Sequence, residues 1–440
     1  MIRTAQLVAV LAVVSIFSGC GPMTGTDGGT DGGGTDAGMM SGDAGPQKIT
    51  GSAEAIIVQN GRFVIGGTSF KAMNDDDFQL VRLSADGGLD STFGTNGKAT
   101  LTWPTFIDPV VADAGFIIEQ KTDQVFALTL QGDKILAAGT AQSQGGRSGF
   151  FAVARFSADG VLDTTFGTAG KTELRQNLGS LAQAVAIRSD GKIYLAGFSA
   201  RGLAGDPNAT DFGLVRLSAD GVVDSTFGGA TGVQSDFGKN EDARGIAFDG
   251  NKVLVGGGDD FAVARYNDDG SLDMSFGVLG VAKSADGVAN TFTRLSDGSI
   301  LLSGARRTSA NSTFTIKLVR YTASGQLDGT FGTGGVAEIP YNEQQNAVLA
   351  LAVLSDGRVA AFLQAALTVN ATRFSATGAL DTGFGTGGLT ELPTSLNILV
   401  AGAIPASANH GVLVGNQFFF ASTDAVSTNA PLVVFTSTTF

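Results

Sequence analysis

A thirteen-residue pattern recurs six times along this chain, and recurrence of that kind leaves few architectures open. It reads RLSADGGLDSTFG from Arg82, RFSADGVLDTTFG from Arg155, RLSADGVVDSTFG from Arg216, RYNDDGSLDMSFG from Arg265, RYTASGQLDGTFG from Arg320 and RFSATGALDTGFG from Arg373. The arginines lie 73, 61, 49, 55 and 53 residues apart. A second half-motif precedes each copy: GRFVIGG at Gly61, GDKILAAG at Gly132, DGKIYLAG at Asp190, GNKVLVGG at Gly250, DGSILLSG at Asp297 and DGRVAAFL at Asp356. A weaker seventh half-motif, HGVLVGN, begins at His410.

Each unit reads as four short strands divided by glycine and Asp-Gly turns, with no helical period. In the third copy the expected strands are Ala182–Arg188, Lys192–Phe198, Phe212–Ser218 and Val222–Phe227, the last leading to Gly232–Phe237. Strands such as FAVARY, from Phe261, are apolar on both faces and need protein on both sides. Four-stranded units stacked with both faces covered are the blades of a β-propeller. A parallel β-helix has shorter coils and no need of hairpin turns. Six complete units and an incomplete seventh (strands near Leu396–Ala403, Val412–Phe420 and Leu432–Thr438) predict seven blades. Lys48-Ile-Thr50 resembles the KTEL that ends the second unit from Lys171. The N-terminal strand is therefore expected to complete the last blade, closing the ring without an open edge.

The Arg-x4-Gly-x-Leu-Asp-x-x-Phe-Gly units, each behind a DGKILVAG-like strand, resemble the delta-60 repeat family, uncharacterised secreted bacterial proteins of the myxobacterial lipoprotein type. The resemblance covers residues 51–390, with Val223 in place of leucine in the third copy. It implies an all-β propeller and supplies no activity for any residue.

The first twenty residues, MIRTAQLVAVLAVVSIFSGC, have the layout of a secretory signal: Arg3, an apolar run over Ala5–Phe17, then small residues before Cys20. Phe17-Ser-Gly-Cys20 resembles a bacterial lipoprotein signal, in which the cysteine is lipidated and becomes the mature N-terminus. The apolar run is short for a spanning helix, which needs ~20 residues. Residues 1–19 are thus expected to be a signal peptide and residues 20–45 a flexible Gly/Asp-rich spacer, leaving 46–440 for the propeller. Aspartates 27, 31, 36 and 43 of the spacer lack the strict period of a calcium-binding β-helix. The expected location is the bacterial cell envelope, at the outer membrane or cell surface.

Composition narrows the chemistry. One cysteine and one histidine leave no Cys/His zinc site and no disulfide framework. A net charge of −13 argues against nucleic acid as a partner. No catalytic fingerprint appears, and no metal or cofactor site is expected. His410 has no nucleophile in its local sequence and reads as a loop residue.

The Arg and Asp of every unit are eight apart: Arg82/Asp90, Arg155/Asp163, Arg216/Asp224, Arg265/Asp273, Arg320/Asp328 and Arg373/Asp381. A hairpin between them predicts an ion pair inside each blade. Six identical copies spread around a ring fit structure better than catalysis. The motif phenylalanines (Phe93, Phe166, Phe227, Phe276, Phe331 and Phe384) read as plugs between blades.

Short turns (DGK, SADG) fall on one face of the ring and the variable connections on the other, where binding is usually built. The longest connection, Trp103–Gln120, holds the only tryptophan, and Trp103 and Phe106 are the candidate binding-loop residues. A core plug is the competing reading for Trp103. The expected function is a lipid-anchored, non-enzymatic binding or scaffolding module for an envelope protein or polysaccharide. A hydrolase or lyase with channel carboxylates and a structural surface component are the alternatives.

Overall fold

The computed structural model describes residues 11–12, 49–50, 52–69, 75–84, 88–103, 121–142, 149–176, 179–201, 209–284, 286–307, 314–341, 348–364, 369–391, 411–414, 417–423 and 431–436. Among them every regular element is a strand, and no helix is long and apolar enough to cross a membrane. The third unit sets the pattern. Ser180–Ile187, Ile193–Ala200, Thr210–Leu217 and Val233–Ser235 pair antiparallel in chain order. The first unit repeats it with Ala55–Gln59, Arg62–Ser69, Asp75–Leu83 and Lys98–Leu101, and the second with Gln124–Gln131, Lys134–Gln142, Gly149–Phe156 and Lys171–Leu174. The fourth and fifth units share one eight-stranded sheet, because Gly258 and Asp259 pair with Ala289 and Val288. A four-stranded sheet from Val348–Val353 to Leu389–Glu391 forms the sixth, and Gly411–Val414, Gln417–Thr423 and Pro431–Thr436 form a three-stranded sheet after it.

The first strand of each unit lies against the first strand of the next. The series runs from Ala55–Gln59 through Gln124–Gln131, Ser180–Ile187, Ala243–Asp249, Val288–Arg294 and Val348–Val353 to Gly411–Val414, which lies against Ala55–Gln59 again. First strands are therefore innermost, and the sheets radiate from them. The chain is an all-β, propeller-like fold. Its cores sit between successive sheets; one joins Val64, Phe93 and Trp103 of the first unit to Ile135 and Phe156 of the second.

One expected strand is absent. Val222–Phe227 forms only an isolated bridge, Leu217 to Val223, followed by a turn. The cause is the aspartate. Asp224 Oδ1 accepts the Thr226 amide at 3.1 Å and its hydroxyl at 2.6 Å, and the Phe227 amide donates to the Asp224 carbonyl at 3.1 Å. A short polar side chain that bonds its own backbone competes with a ladder. The fourth strand starts only at Val233.

All six motif ion pairs form, with N···O separations of 2.7–2.8 Å. Each arginine also stacks on its own motif phenylalanine, 4.7–4.8 Å from the ring centroid. In five units it reaches further. Nη1 of Arg82, Arg155, Arg216, Arg265 and Arg320 donates to a turn carbonyl of the following unit: Ala158, Ala219, Asp268, Ala323 and Ala376. The Phe-Gly glycine amide donates to the next carbonyl of that same turn. The motif is therefore a latch between sheets as well as a pair within one.

At the N-terminus, Ile49–Thr50 pairs antiparallel with Leu11–Ala12, and Leu11–Ala12 lies against Pro431–Thr436. The strand beside the C-terminal sheet is thus Leu11–Ala12, where the sequence had placed Lys48-Ile-Thr50.

Candidate functional site

Strands alternate in direction, so the connections between second and third strands share a face with those between units. The described part of that face centres on the third to fifth units. Arg201 and Asp211 flank the third unit's open connection, and Asp236 and Glu241 lie on the linker to the fourth. Carboxylate oxygens of Asp211, Asp236 and Glu241 lie within 4.8 Å of one another. Arg201 stands among them, Nε 2.9 Å from Asp211 and Nη1 2.5 Å from Asp236. Glu241, 1% exposed, accepts the Lys239 amide at 2.9 Å and has the Lys283 ammonium at 3.9 Å.

Burial dominates the electrostatics. It pushes Asp211 up to about 6, against the pull of Arg201 and with a further push from Asp236. It also raises Glu241 and Asp259. Three close carboxylates invite a cation reading, but a guanidinium already neutralises two of them. The group works as an internally charged clamp that ties a connection of the third unit to its linker. Lys239–Asp260 extends it to the fourth unit at 2.7 Å, and Arg306–Asp286 to the fifth.

A second set of positions lies on the innermost strands, and no repeat motif announces it. The first strands of five units carry a β-bulge at one shared position, occupied by Phe126, Gln183, Arg244, Asn290 and Leu349. Glu54 holds the matching place in the first unit, its amide bonded to Gly66. A bulge inserts an unpaired residue and re-aims its side chain. Neighbouring copies meet: the Gln183 amide donates to the Ala243 carbonyl and accepts from Arg244 Nη1, both at 3.0 Å. Burial pushes Glu54 up to about 8 and lowers Arg244. Only the weak rule that bulges favour functional sites could have flagged these positions, and the apolar alternation of the strands hides them.

Of the two readings of Trp103, the structure takes the core plug. It is 1% exposed, packs edge-on to Phe78 at 5.2 Å and lies under the Lys171 ammonium at 5.3 Å. Adjacent sheets need a large plug at their outer end, and Trp103 fills that role, so it is no surface contact. Phe106, Cys20 and His410 lie outside the described residues. The six Arg/Asp pairs stand in the sheets and turns of the constant face, away from the variable connections.

Five segments, residues 59–93, 131–166, 188–227, 249–276 and 295–331, match the family model described as "Domain of unknown function (DUF5122) beta-propeller". Each segment ends on a motif phenylalanine, and together they support a β-propeller repeat family. No curated protein matches. Among solved structures, the chain is similar to a catalytically inactive virginiamycin B lyase from Staphylococcus aureus, at 11% identity and TM-score 0.46, covering 85% of this chain and 92% of that one. The β-propeller domain of the Trilobed protease from Pyrococcus furiosus matches at 12% identity and TM-score 0.40, over 88% and 94% of the two chains. A puromycin hydrolase matches at 12% identity and TM-score 0.44, over 88% of this chain and 52% of that one.

Proposed function

We propose that this chain is a lipid-anchored envelope propeller of the delta-60 repeat type that binds a partner protein or polysaccharide through its variable face and catalyses nothing. The observation that carries the reading is the division of labour between faces. One face is built of near-identical latched turns, while the other varies from unit to unit and gathers Arg201, Asp211, Asp236, Glu241 and Lys239. Charged clamps on a rigid scaffold suit recognition. In this reading Cys20 carries the lipid, residues 20–45 are the tether, and seven blades form the ring. Removal of residues 1–19 takes away Leu11–Ala12 and frees its place beside Pro431–Thr436 for Ile49–Thr50. The N-terminal strand then closes the last blade.

The test is affinity capture from envelope extract with the full lipidated chain and with Arg201→Glu. Capture of a component by the native chain, and its loss in a variant that melts normally, is the expected result. Equal capture by both would place the contact elsewhere. An enzymatic reading draws on one observation, that burial raises Asp211 beside the Asp236 side chain, since a general acid needs its carboxyl held above the ordinary carboxylate range. Turnover of an envelope glycan that Asp211→Asn abolishes would favour it.

A further inference from the structure

Six copies of one unit are a built-in control. A solvent-facing residue that differs in one copy alone is not needed by the fold. The fourth unit has three such residues, all bulky and apolar: Met274, Val278 and Leu279, exposed at 61%, 75% and 66%. Where it has Met274, other units have Ser91, Thr164, Ser225, Gly329 and Thr382. Where it has Val278-Leu279, four units have Thr95-Asn96, Thr168-Ala169, Thr333-Gly334 and Thr386-Gly387, and the third has the one-residue-longer Gly229-Ala230-Thr231. Leu279 moreover sits at φ +54°, a left-handed position that a bulky side chain rarely adopts and that glycine fills in two of those units. The chain holds a leucine there against its backbone preference and in full view of water. Strain combined with exposure points to use.

The surroundings indicate what covers these side chains. The fifth unit adjoins them through Gln326, whose side-chain Nε2 donates to the Gly277 carbonyl at 3.5 Å. The rim consists of Ser275, Ser324 and Gln326, all uncharged, whereas the corresponding turns of the second and third units carry Asp159 and Asp220. Asp273 is matched by Lys252 and Arg265, and Asp328 by Arg320, while the exposed Asp269 of the fourth unit's own turn accepts from Ser271. Three side chains fall far short of the roughly 1,000 Å² that a specific protein interface needs. They suffice for a surface that the chain already touches. A spacer of 26 residues spans roughly 25–30 Å, so a lipid at Cys20 holds the domain within reach of a bilayer.

We propose that the Met274–Leu279 turn is a membrane-contact loop, inserting its aliphatic tips into the lipid surface to which the chain is tethered and so fixing the orientation of the ring. The inference rests on the tethered reading of Cys20. The inserted tips carry no charge themselves, and the fourth unit's edge of the constant face then meets the bilayer with the variable face turned outward.

Cys20 is the only cysteine in the chain, and lipidation blocks its thiol. Val278→Cys and the control Thr95→Cys, each in the full lipidated chain, are labelled with an environment-sensitive dye and reconstituted into phosphatidylethanolamine/phosphatidylglycerol vesicles. At position 278 the emission shifts to the blue and brominated acyl chains quench it, while position 95 behaves as in water. Identical emission at both positions overturns the loop. A blue shift at 278 that brominated lipid leaves unquenched and that grows with protein concentration assigns the turn to a second copy instead, and also overturns it. Dye uptake by the unmutated chain shows a free Cys20 thiol, which defeats the tether rather than the loop's geometry, and the membrane assignment falls with it. As a check independent of labelling, Val278→Thr with Leu279→Asn, the first unit's own residues, raises the rate of proteolysis of vesicle-bound protein several-fold and leaves that of protein in detergent unchanged.

Discussion

A single arginine in this fold serves two sheets. Arg216, 2% exposed, bonds Asp224 at 2.8 Å, Thr226 at 2.8 Å and the Asp268 carbonyl of the next unit at 2.6 Å. Replacing it with methionine keeps the stacking volume on Phe227 but leaves Asp224 with Lys192 alone, at 3.0 Å, and takes the donor from the Asp268 carbonyl, which costs ~1–3 kcal/mol. Arg373→Met should cost clearly less in the same urea titration, because Arg373 has no bonded carbonyl in a following unit among the described residues. Equal losses would mean that the cross-sheet bond contributes nothing. The carboxyls themselves set opposing pH dependences. The Lys134 ammonium, then Thr165 and Arg155, hold Asp163 well below the usual carboxylate range. Its contribution is complete above the unfolded value of ~3.9 and is lost as pH falls below it. Glu54, pushed up to about 8 by burial, works the other way. Between the unfolded ~4.3 and 8 the folded chain keeps a proton that the unfolded chain has released, so stability declines as pH rises through that window. Thermal melts from pH 4.5 to 8 should show the decline in the native chain and a flatter profile in Glu54→Gln. A slope unchanged by the substitution would remove Glu54 as its source.

At the scale of elements, the repeat made the strand order legible, because glycine punctuation and apolar runs are local signals. What the sequence concealed was relational. The Arg/Asp spacing predicted a pair within a sheet, but the forward bond from Arg82 to Ala158 depends on where the next unit docks. The same holds for the turn glycines. Gly221 has φ +82°, and a Cβ there would lie 2.5 Å from the Phe166 ring of the preceding unit. Gly61 has φ +74° and nothing within 4 Å. Alanine at Gly61 should cost only the left-handed penalty of ~1–2 kcal/mol. Alanine at Gly221 adds a clash with a buried ring and should cost ~1–3 kcal/mol more. Denaturant midpoints of the two variants read the difference, and matching midpoints would show that the ring yields without cost. Local signals also misplaced Val222–Phe227 as a strand, since apolar alternation cannot reveal that Asp224 will cap a turn. Trp103 was ambiguous for a similar reason: a tryptophan followed by two prolines, Pro104 and Pro109, reads as a rigid loop anchor until the neighbouring sheet supplies Lys171 and a gap to fill.

For the whole molecule, the latches make a directed chain, each unit gripping the next, and the direction says where it should open. Forward bonds run from the first unit to the second and onward to the sixth. None continues past Arg373 among the described residues, and the three-stranded sheet after it lacks the Asp-x-x-Phe-Gly half from which a latch is made. Among the described residues, therefore, no latch joins that sheet to the sixth unit or to the first, and the ring has a seam on both sides of it. Segments held by fewer buried contacts and bonds open at lower free energy than the global transition. Hydrogen exchange followed by mass spectrometry should find Gly411–Val414, Gln417–Thr423 and Pro431–Thr436 exchanging fastest among the strands. Thr210–Leu217, latched on both sides, should exchange only with global unfolding. Installing the missing half, with Asp-x-x-Phe-Gly placed after Pro431–Thr436, should slow exchange in the last sheet and leave the third unit unchanged. If native exchange is uniform around the ring, the latches are not what orders its stability, and interdigitated phenylalanines such as Phe93 and Phe166 carry the cooperativity instead.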